Sequence, residues 1–505
     1  MTKNVRGPRT DAGLTRRRLL GAGLGLSALA LAGCSPGARP SSQEMARRVA
    51  AVEAGRASTG TVRAYTLTAG RAEVDLGGRT VSTYAYNGST PGPLLRADVG
   101  DEVRVRLVND LPAPTSVHWH GLALRNDMDG VAPMTDDVAQ AGTFDYVFRA
   151  PHPGTYWYHP HVGIQLDYGL YAPLIIDDPD ERSWYDEEWV VVLDDWTDDL
   201  GQDPRSILDE LTAGGMDMDM DMAEGGSVAE SGRSQATGLL GDDAGDVRYP
   251  AFLVNGRMVD DPEVLRTRPG SVIRIRVINA AADTAFRVAL GGHSIRVTHT
   301  DGFAVTPVDG DAVLVGMGER YDLTVTAGEG VFDLVAKPEG KAGHARAVLR
   351  TAQGSTRPAS ALPRELDGRV LQVEDLRATD AAALPERDVD TEVTAVLDGD
   401  MSTYRWTING KTFEETDPLA VTEGQRARLV FENRSSMWHP MHLHGHTFQV
   451  ERSDGAGARK DTVVVKPRSR VPVVFDADNP GDWMIHCHNA YHAEAGMMTT
   501  LEYKI

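Results

Sequence analysis

Cysteine and basic residues are both scarce in this sequence. Two cysteines, Cys34 and Cys487, allow one disulfide at most, so the fold does not depend on a disulfide framework. The 51 lysines and arginines stand against 73 aspartates and glutamates, for a formal net charge of −22. Nucleic-acid binding needs a basic surface, so this composition argues against it. The acidic excess is compatible with attraction of cations, and equally with an ordinary solvated surface.

Aromatic residues and long helical patterns are also few. Aromatics make up 6% of the chain, whereas 52 glycines and 27 prolines favour a turn-rich β protein. Residues 203–212 predict a short helix. At 505 residues the chain is too long for one ordinary domain, and its length alone suggests about three domains.

The N-terminus resembles an export signal. Residues 15–20 contain a twin-arginine motif. The uncharged stretch 19–33 is long enough for the apolar region of a signal peptide and short for a membrane span. It runs through Leu-Ala-Gly into Cys34, which resembles the lipobox of bacterial lipoproteins. We predict a signal peptide over residues 1–33 and a Pro/Ser/Gly/Ala-rich tether over residues 34–58. The alternative is an ordinary export signal that contains a cysteine.

Lipidation of Cys34 would place the protein on the outer face of the cytoplasmic membrane, in the cell envelope. Cys487 would then be a lone thiol in an oxidising compartment. Such a thiol is stable when it is buried or bound to a metal ion.

One strand pattern occurs three times. Residues 99–109, 269–279 and 423–433 each begin near a glycine, alternate apolar and polar residues, and end on asparagine. This alternation predicts a β-strand with one buried face. A second strand follows a later glycine in each copy, at residues 154–159, 330–335 and 481–486.

The repeats predict an all-β protein of three consecutive β-sandwich domains. Their predicted bounds are 59–178, 186–352 and 366–505. Residues 213–246 are rich in glycine, aspartate and serine, which predicts a mobile loop within the second domain.

Ten of the 15 histidines fall into four clusters, all in the first and third predicted domains. The clusters are His118 with His120; His159 with His161; His439 with His442 and His444; and His486, Cys487 and His488 with His492 and Met497. Residues two apart on a strand point to the same side, so each His-x-His pair presents two imidazoles to one region. A single such pair more often occurs by chance at the surface or binds zinc. Four pairs in this order indicate a specific metal centre. The other histidines, predicted to be ordinary polar or packing residues, are His152, His293, His299, His344 and His446.

The fourth cluster can serve two metal sites, because Cys487 faces one side of its strand and His486 and His488 face the other. Cys487, His439, His492 and Met497 form the ligand set of a blue-copper electron-transfer site. The remaining eight histidines offer imidazole only, enough for three copper ions. Imidazole also suits zinc, iron and nickel, so the cysteine-containing set is what points to copper.

These motifs resemble those of the three-domain multicopper oxidases, of the laccase and bacterial cuprous oxidase type, over nearly the whole mature chain. They are most similar to the exported lipoprotein copper-tolerance oxidases of actinobacteria. The resemblance implies three cupredoxin-like Greek-key domains, the middle one without copper, and four copper ions. It implies type 1 ligands His439, Cys487, His492 and Met497, type 2 ligands His118 and His442, and type 3 ligands His120, His159, His161, His444, His486 and His488.

The resemblance also implies the reaction. A donor gives single electrons to the type 1 copper, and Cys487 passes them along the chain to His486 and His488. Four electrons convert dioxygen to water. Asp129, in a Met-Asp-Gly segment, matches the family's acidic residue near the type 2 copper and is the predicted proton donor; a simple turn aspartate is the alternative. Glu494 is the candidate for a second proton route, although it stands one residue later than in related oxidases.

The electron donor is suggested by methionines. Thioethers select Cu(I), and four of them alternate with aspartates in the predicted loop: Met216, Met218, Met220 and Met222. A low-complexity linker is the alternative interpretation. Met437 matches a substrate-site methionine of the bacterial cuprous oxidases, whereas their acidic residue slightly upstream is replaced here by Ser435.

The sequence therefore predicts a cuprous oxidase that detoxifies copper, with dioxygen as acceptor. A laccase that acts on phenols or aromatic amines is the nearest alternative. A copper-sequestering lipoprotein without turnover is a third, although storage does not need a dioxygen site. The sequence predicts no oligomeric state.

Overall fold

The structure is a computed structural model that describes residues 39–179, 181, 184–214, 238–241 and 243–504. The described residues form six β-sheets, two in each of three consecutive units. Unit 1 covers residues 62–177, unit 2 residues 187–371 and unit 3 residues 391–504. In unit 1 the two sheets pack face to face over one apolar core. The predicted all-β fold class is confirmed, and the units are cupredoxin-like β-sandwiches.

Unit 1 pairs two four-stranded sheets. In sheet order, their strands are Thr80–Tyr86, Val62–Asp75, Glu102–Asn109 and Thr143–Arg149, and Leu95–Asp98, Ala172–Asp177, Gly154–His159 and His118–His120.

Unit 2 pairs two six-stranded sheets. The first contains Ala251–Val254, Glu187–Trp196, Val272–Asn279, Arg320–Thr326, Ile295–Thr300 and Phe303–Gly310. The second contains Val264–Arg266, Ala345–Arg350, Val331–Pro338, Phe286–Leu290, Ala312–Val315 and Val370–Leu371.

Unit 3 pairs a six-stranded with a five-stranded sheet. The first contains Arg405–Ile408, Thr391–Asp400, Arg426–Asn433, Arg470–Asp476, Phe448–Arg452 and Gly455–Lys460. The second contains Leu419–Thr422, Met498–Lys504, Trp483–Cys487, His439–Leu443 and Thr462–Val465.

The repeated sequence pattern forms the same strand in each unit. Glu102–Asn109, Val272–Asn279 and Arg426–Asn433 each run parallel to the first strand of their unit. Each ends on a buried asparagine whose side-chain NH₂ group donates to the carbonyls of the turn that follows. In units 1 and 3 this turn leads directly into a strand that begins with a histidine of the candidate centre.

Three α-helices occur among the described residues, Ser42–Gly55, Pro204–Gly214 and Ala490–Glu494. The second confirms the predicted short helix, and its buried Ile207, Leu208 and Leu211 explain why it packs against unit 2. No helix of the described part of the chain is long and apolar enough to cross a membrane.

The first helix lies within the predicted tether and is docked on the protein. Ser41 caps it by accepting a hydrogen bond from the Glu44 backbone N–H. Arg39, just before it, forms ion pairs with Asp482 and Glu502 of unit 3. Near its end, the Glu53 carboxylate accepts the Arg149 backbone N–H of unit 1 at 2.8 Å. The segment therefore links units 1 and 3.

Candidate metal centre

One strand, Trp483–Cys487, lies at the middle of the candidate centre. It pairs with His439–Leu443 so that Met441 faces Cys487 and His442 faces His486. All five residues of the strand are buried. Because side chains alternate along a strand, Cys487 and His486 point to opposite faces, as the sequence predicted.

On the His486 face, histidines of units 1 and 3 come together. Ligand atoms within 4.8 Å of one another occur in three triads: His118, His442 and His444; His118, His120 and His159; and His161, His444 and His486. Rings from the two units stack directly, with centroids 3.8 Å apart for His118 and His444 and 3.9 Å for His120 and His442. His488 completes the group with its ring centroid 4.9 Å from that of His120.

The hydrogen bonding of these imidazoles fits metal ligation. In two of the rings, one nitrogen is hydrogen-bonded to a backbone carbonyl. His118 Nδ1 contacts the Asp129 carbonyl at 3.0 Å, and His159 Nδ1 contacts the Pro160 carbonyl at 2.9 Å. The other ring nitrogens are buried without a partner: Nε2 of His118, His159 and His442, Nδ1 of His120, and both nitrogens of His488. Buried polar atoms are rarely left unsatisfied, whereas metal-bound histidines hold one nitrogen by an oxygen and offer the other. The residues present therefore fit a copper cluster.

Electrostatics favour the neutral, ligating form of these rings. Burial, reinforced by repulsion between neighbouring imidazoles, lowers the pKa values well below the ordinary histidine value for His120, His159, His444, His486 and His488. A neutral imidazole has a free lone pair for a metal ion.

On the opposite face, Cys487 meets two histidines. Its Sγ lies 3.7 Å from His439 Nδ1 and 3.8 Å from His492 Nδ1, and those nitrogens are 3.2 Å apart. Ser435 Oγ contacts His439 Nε2 at 2.8 Å, and Asp246 Oδ2 contacts His492 Nε2 at 2.9 Å. Both Nδ1 atoms therefore face the sulfur.

Met497 is fully buried beside this triad. Its carbonyl accepts the Cys487 backbone N–H at 3.1 Å, and its own N–H donates to the His492 carbonyl. The cysteine sulfur and the two imidazoles, with Met497 as the axial ligand that the sequence predicts, match the donor set of a blue-copper site.

The two predicted proton residues lie on different sides of the histidines. Asp129 is fully buried; its carboxylate accepts a hydrogen bond from His444 Nδ1 at 2.9 Å and lies 3.3 Å from His118 Nδ1. Glu494 is exposed at a narrow cleft lined by His159, His161, His486 and His488. The cleft walls desolvate the carboxyl of Glu494 and raise its pKa, an effect that Arg205 partly offsets.

The structure describes some of the other predicted site residues and not the rest. Met437 is buried two residues before His439. Met216, Met218, Met220, Met222 and Cys34 lie outside the described residues. Among histidines outside the pattern, His446 is held by the His444 carbonyl and the Tyr503 hydroxyl, as expected of an ordinary buried histidine.

Sequence reasoning missed two aspartates that contact the candidate ligands and an arginine that pairs with one of them. Asp246 of unit 2 touches His492, and Asp461 lies between His120 and His442. Arg320 of unit 2 pairs with Asp461 through both carboxylate oxygens. Each comes from a segment without a histidine motif, so no local signal marks it.

Comparison with known proteins gives the family. Three models of multicopper oxidase domains match residues 68–181, 187–354 and 386–504. The chain is 49% identical to multicopper oxidase MmcO of Mycobacterium tuberculosis, over 97% of this chain and 96% of that protein. It is 29% identical to a copper resistance protein A homolog of Pseudomonas syringae pv. tomato, over 86% of this chain and 91% of that protein.

Laccases and solved oxidase structures are also similar. Laccase-2 of Botryotinia fuckeliana is 27% identical, over 87% of this chain and 82% of that protein. The crystal structure of a multi-copper oxidase from Pseudomonas thermotolerans matches with a TM-score of 0.66 at 26% identity, over 88% of this chain and 99% of that one. With three matching domain models, a near full-length relative and a histidine arrangement that fits copper, the chain belongs to the multicopper oxidase family.

Proposed function

We propose that the electron donor of this oxidase is Cu(I), and that its role is copper detoxification in the cell envelope. The proposal rests on the cover over His492, which is formed by the side chains of Asp246, Tyr404 and Trp406. Its outer nitrogen, Nε2, contacts the Asp246 carboxylate at 2.9 Å, and the Tyr404 hydroxyl donates to the same oxygen at 2.6 Å. The Trp406 ring lies 4.1 Å from the His492 ring.

This cover suits a metal ion better than an organic donor. The Asp246 side chain is 1% exposed, and Tyr404 and Trp406 are buried, so the described residues leave a phenol ring no open approach to the His492 edge. Asp246 Oδ1 has no hydrogen-bond partner. We propose that this buried oxygen binds a copper ion and that the carboxylate passes an electron from that ion through its hydrogen bond to His492.

The methionines support the same donor. Met437 precedes His439, and its carbonyl accepts the Ser435 hydroxyl that also contacts His439. The segment Met216, Met218, Met220 and Met222 precedes Asp246 in the sequence, and we propose that its soft thioethers collect Cu(I).

The reaction then uses four bound coppers, with ligands as assigned above. Copper held by His439, Cys487, His492 and Met497 would supply one-electron transfer, and copper held by the eight other histidines would supply the reduction of dioxygen to water. Cys487 joins the two sites through its covalent bonds to His486 and His488. The cleft beside Glu494 has a volume of about 30 Å³, which is enough for a water molecule. Asp129 contacts His118 and His444, and we propose that it supplies protons from the opposite side.

The test compares oxygen consumption with Cu(I) and with a phenol. We expect Asp246→Asn to lower kcat/KM for Cu(I) by about tenfold or more, because a charged hydrogen bond becomes a neutral one. The phenol rate should change less. Asp309→Asn, which removes an exposed carboxylate paired with Arg296, is the control and should alter neither rate.

Other outcomes would assign a different role. A wild-type phenol rate far above the Cu(I) rate would make the protein a laccase. Absence of oxygen consumption with either donor would favour copper sequestration. Equal losses with both donors in Asp246→Asn would reduce that residue to a general support of the type 1 site.

We further propose export by the twin-arginine route and a lipid anchor at Cys34. The motif at residues 15–20 and the lipobox-like residues before Cys34 support this. Since the docked segment begins at Arg39, few residues separate the anchor from the folded body, which would lie within about 20 Å of the bilayer surface. Cys34→Ser should move the protein from the membrane fraction to the soluble fraction; retention in the membrane would contradict the anchor.

A further inference from the structure

Asp461 occupies a fully buried position between two histidines of different units. Its Oδ1 lies 3.3 Å from His120 Nε2 of unit 1 and 3.4 Å from His442 Nδ1 of unit 3. Its backbone carbonyl also accepts from His442 Nδ1 at 2.9 Å. The Thr462 hydroxyl contacts the same two nitrogens, at 3.1 Å and 3.0 Å.

The hydrogen-bond directions in this group are fixed by the carboxylate. Thr462 Oγ1 donates to Asp461 Oδ1 at 2.9 Å, because a carboxylate can only accept. The hydroxyl oxygen must then accept from His120 and His442. Both protons are thereby held on the nitrogens that face Asp461. The two nitrogens left without a partner are His120 Nδ1 and His442 Nε2, and they face the cluster.

Arg320 of unit 2 holds the Asp461 carboxylate in place. Its two terminal nitrogens donate to the two carboxylate oxygens at 2.7 Å and 2.5 Å, and both side chains are fully buried. Arg320 also donates to the carbonyls of Gly318 and Thr155. The two parallel hydrogen bonds from Arg320 hold the carboxylate rigidly, so Asp461 cannot rotate away from the histidines.

Asp301 of unit 2 reinforces the arrangement. One carboxylate oxygen accepts the Arg320 backbone N–H at 2.9 Å, and the other accepts the backbone N–H groups of Asp461 and Thr462 at 3.2 Å. Lys460 balances the charge with its Nζ 3.1 Å from Asp301. Unit 2, which holds none of the predicted copper ligands, thus supports the turn that contains Asp461, between strands Gly455–Lys460 and Thr462–Val465.

We propose that Asp461, held by Arg320, is a positioning residue that determines which nitrogens of His120 and His442 face the trinuclear copper centre. Unit 2 thereby controls copper occupancy at a site built by units 1 and 3. This inference rests on the ligand assignment proposed above, but it does not depend on whether Cu(I) or a phenol is the donor.

The test is copper content and spectroscopy of Asp461→Asn. An amide can donate as well as accept, so the Thr462 hydroxyl and both imidazoles can reverse their hydrogen bonds. We expect copper affinity at the trinuclear centre to fall about 10–100-fold. The electron paramagnetic resonance signal of the type 2 copper should weaken, while the blue absorption of the type 1 copper persists because Asp461 contacts none of its ligands.

A matched control separates positioning from stability. Asp333 forms a buried ion pair with Arg346 at 2.7 Å in unit 2, and neither residue contacts a candidate ligand in the described contacts. Asp333→Asn should lower the melting temperature while retaining full copper content. Arg320→Lys keeps the positive charge but cannot donate to both carboxylate oxygens at once, so this variant should lose part of its trinuclear copper. It serves as the test if Asp461→Asn does not fold.

Two results would overturn the proposal. One is full copper content with an unchanged type 2 signal in folded Asp461→Asn or, if that variant does not fold, in Arg320→Lys. The other is equal loss of trinuclear copper in Asp333→Asn. A failure of the Cu(I) proposal would appear in the oxygen assay alone and leave these copper measurements unaffected.

Discussion

Gly318 shows at the scale of one residue how closely unit 2 approaches the histidine cluster. Its backbone has a φ of +80°, and a Cβ atom there would lie 2.9 Å from His488 Cδ2 and 3.0 Å from His120 Cε1. Such contacts are shorter than ordinary van der Waals distances. Glycine is therefore required both by the backbone conformation and by the space that the two imidazoles leave.

Gly318→Ala should consequently perturb the copper site. The positive φ alone costs about 1–2 kcal/mol for an alanine. The overlap with His120 and His488 adds to this and pushes rings of the cluster aside. Gly410→Ala is the control, since Gly410 has a φ of +76° and nothing within 4 Å of a Cβ atom. Thermal unfolding and copper content of the two variants should differ; identical losses would show that backbone strain alone matters at Gly318.

The sequence predicts the metal-ligand residues better than it predicts the residues that hold them in place. His-x-His spacing on strands brings the candidate ligands together because alternation along a strand is a local property. Asp246 and Asp461 are distant in sequence from the histidines they contact, and Arg320, which pairs with Asp461, belongs to unit 2. Their pairing depends on how the units pack, which no local pattern encodes.

Among secondary-structure elements, the repeated strand was predictable because its pattern carries two independent signals. Alternation of apolar and polar residues gives one buried face, and the final asparagine ends the strand. In the structure, the Asn433 side chain donates to the Met437 carbonyl at 2.7 Å and accepts the Ser435 backbone N–H. The same asparagine that ends the strand thus shapes the turn leading to His439.

The first helix was missed for a different reason. Its composition suggested a tether, although Ser41 followed by Glu44 is a recognisable helix start. What stabilises the helix is tertiary. Val49 is buried, Arg48 pairs with Glu423 of unit 3, and Glu53 binds the backbone of Arg149 in unit 1. These partners lie far along the chain, so composition alone gives no sign of the docked helix.

For the whole molecule, the arrangement of ligands makes copper a link between units. The trinuclear candidates come from units 1 and 3, whereas the type 1 candidates His439, Cys487, His492 and Met497 all belong to unit 3. A ligand that binds only the folded state stabilises it, by about 4 kcal/mol at a concentration 1,000 times its dissociation constant. Loss of the trinuclear coppers should therefore weaken the contact between units 1 and 3.

Removal of copper by a chelator tests this coupling. We expect the melting temperature of the copper-free protein to fall by about 5–10 °C, with recovery when copper is restored. Cys487→Ser is the informative comparison, because it should abolish the blue absorption while leaving the trinuclear histidines in place. If the link between units lies in the trinuclear site, this variant keeps most of the stabilisation by copper. Loss of the entire shift in Cys487→Ser would instead place the stabilisation within unit 3, at the type 1 site.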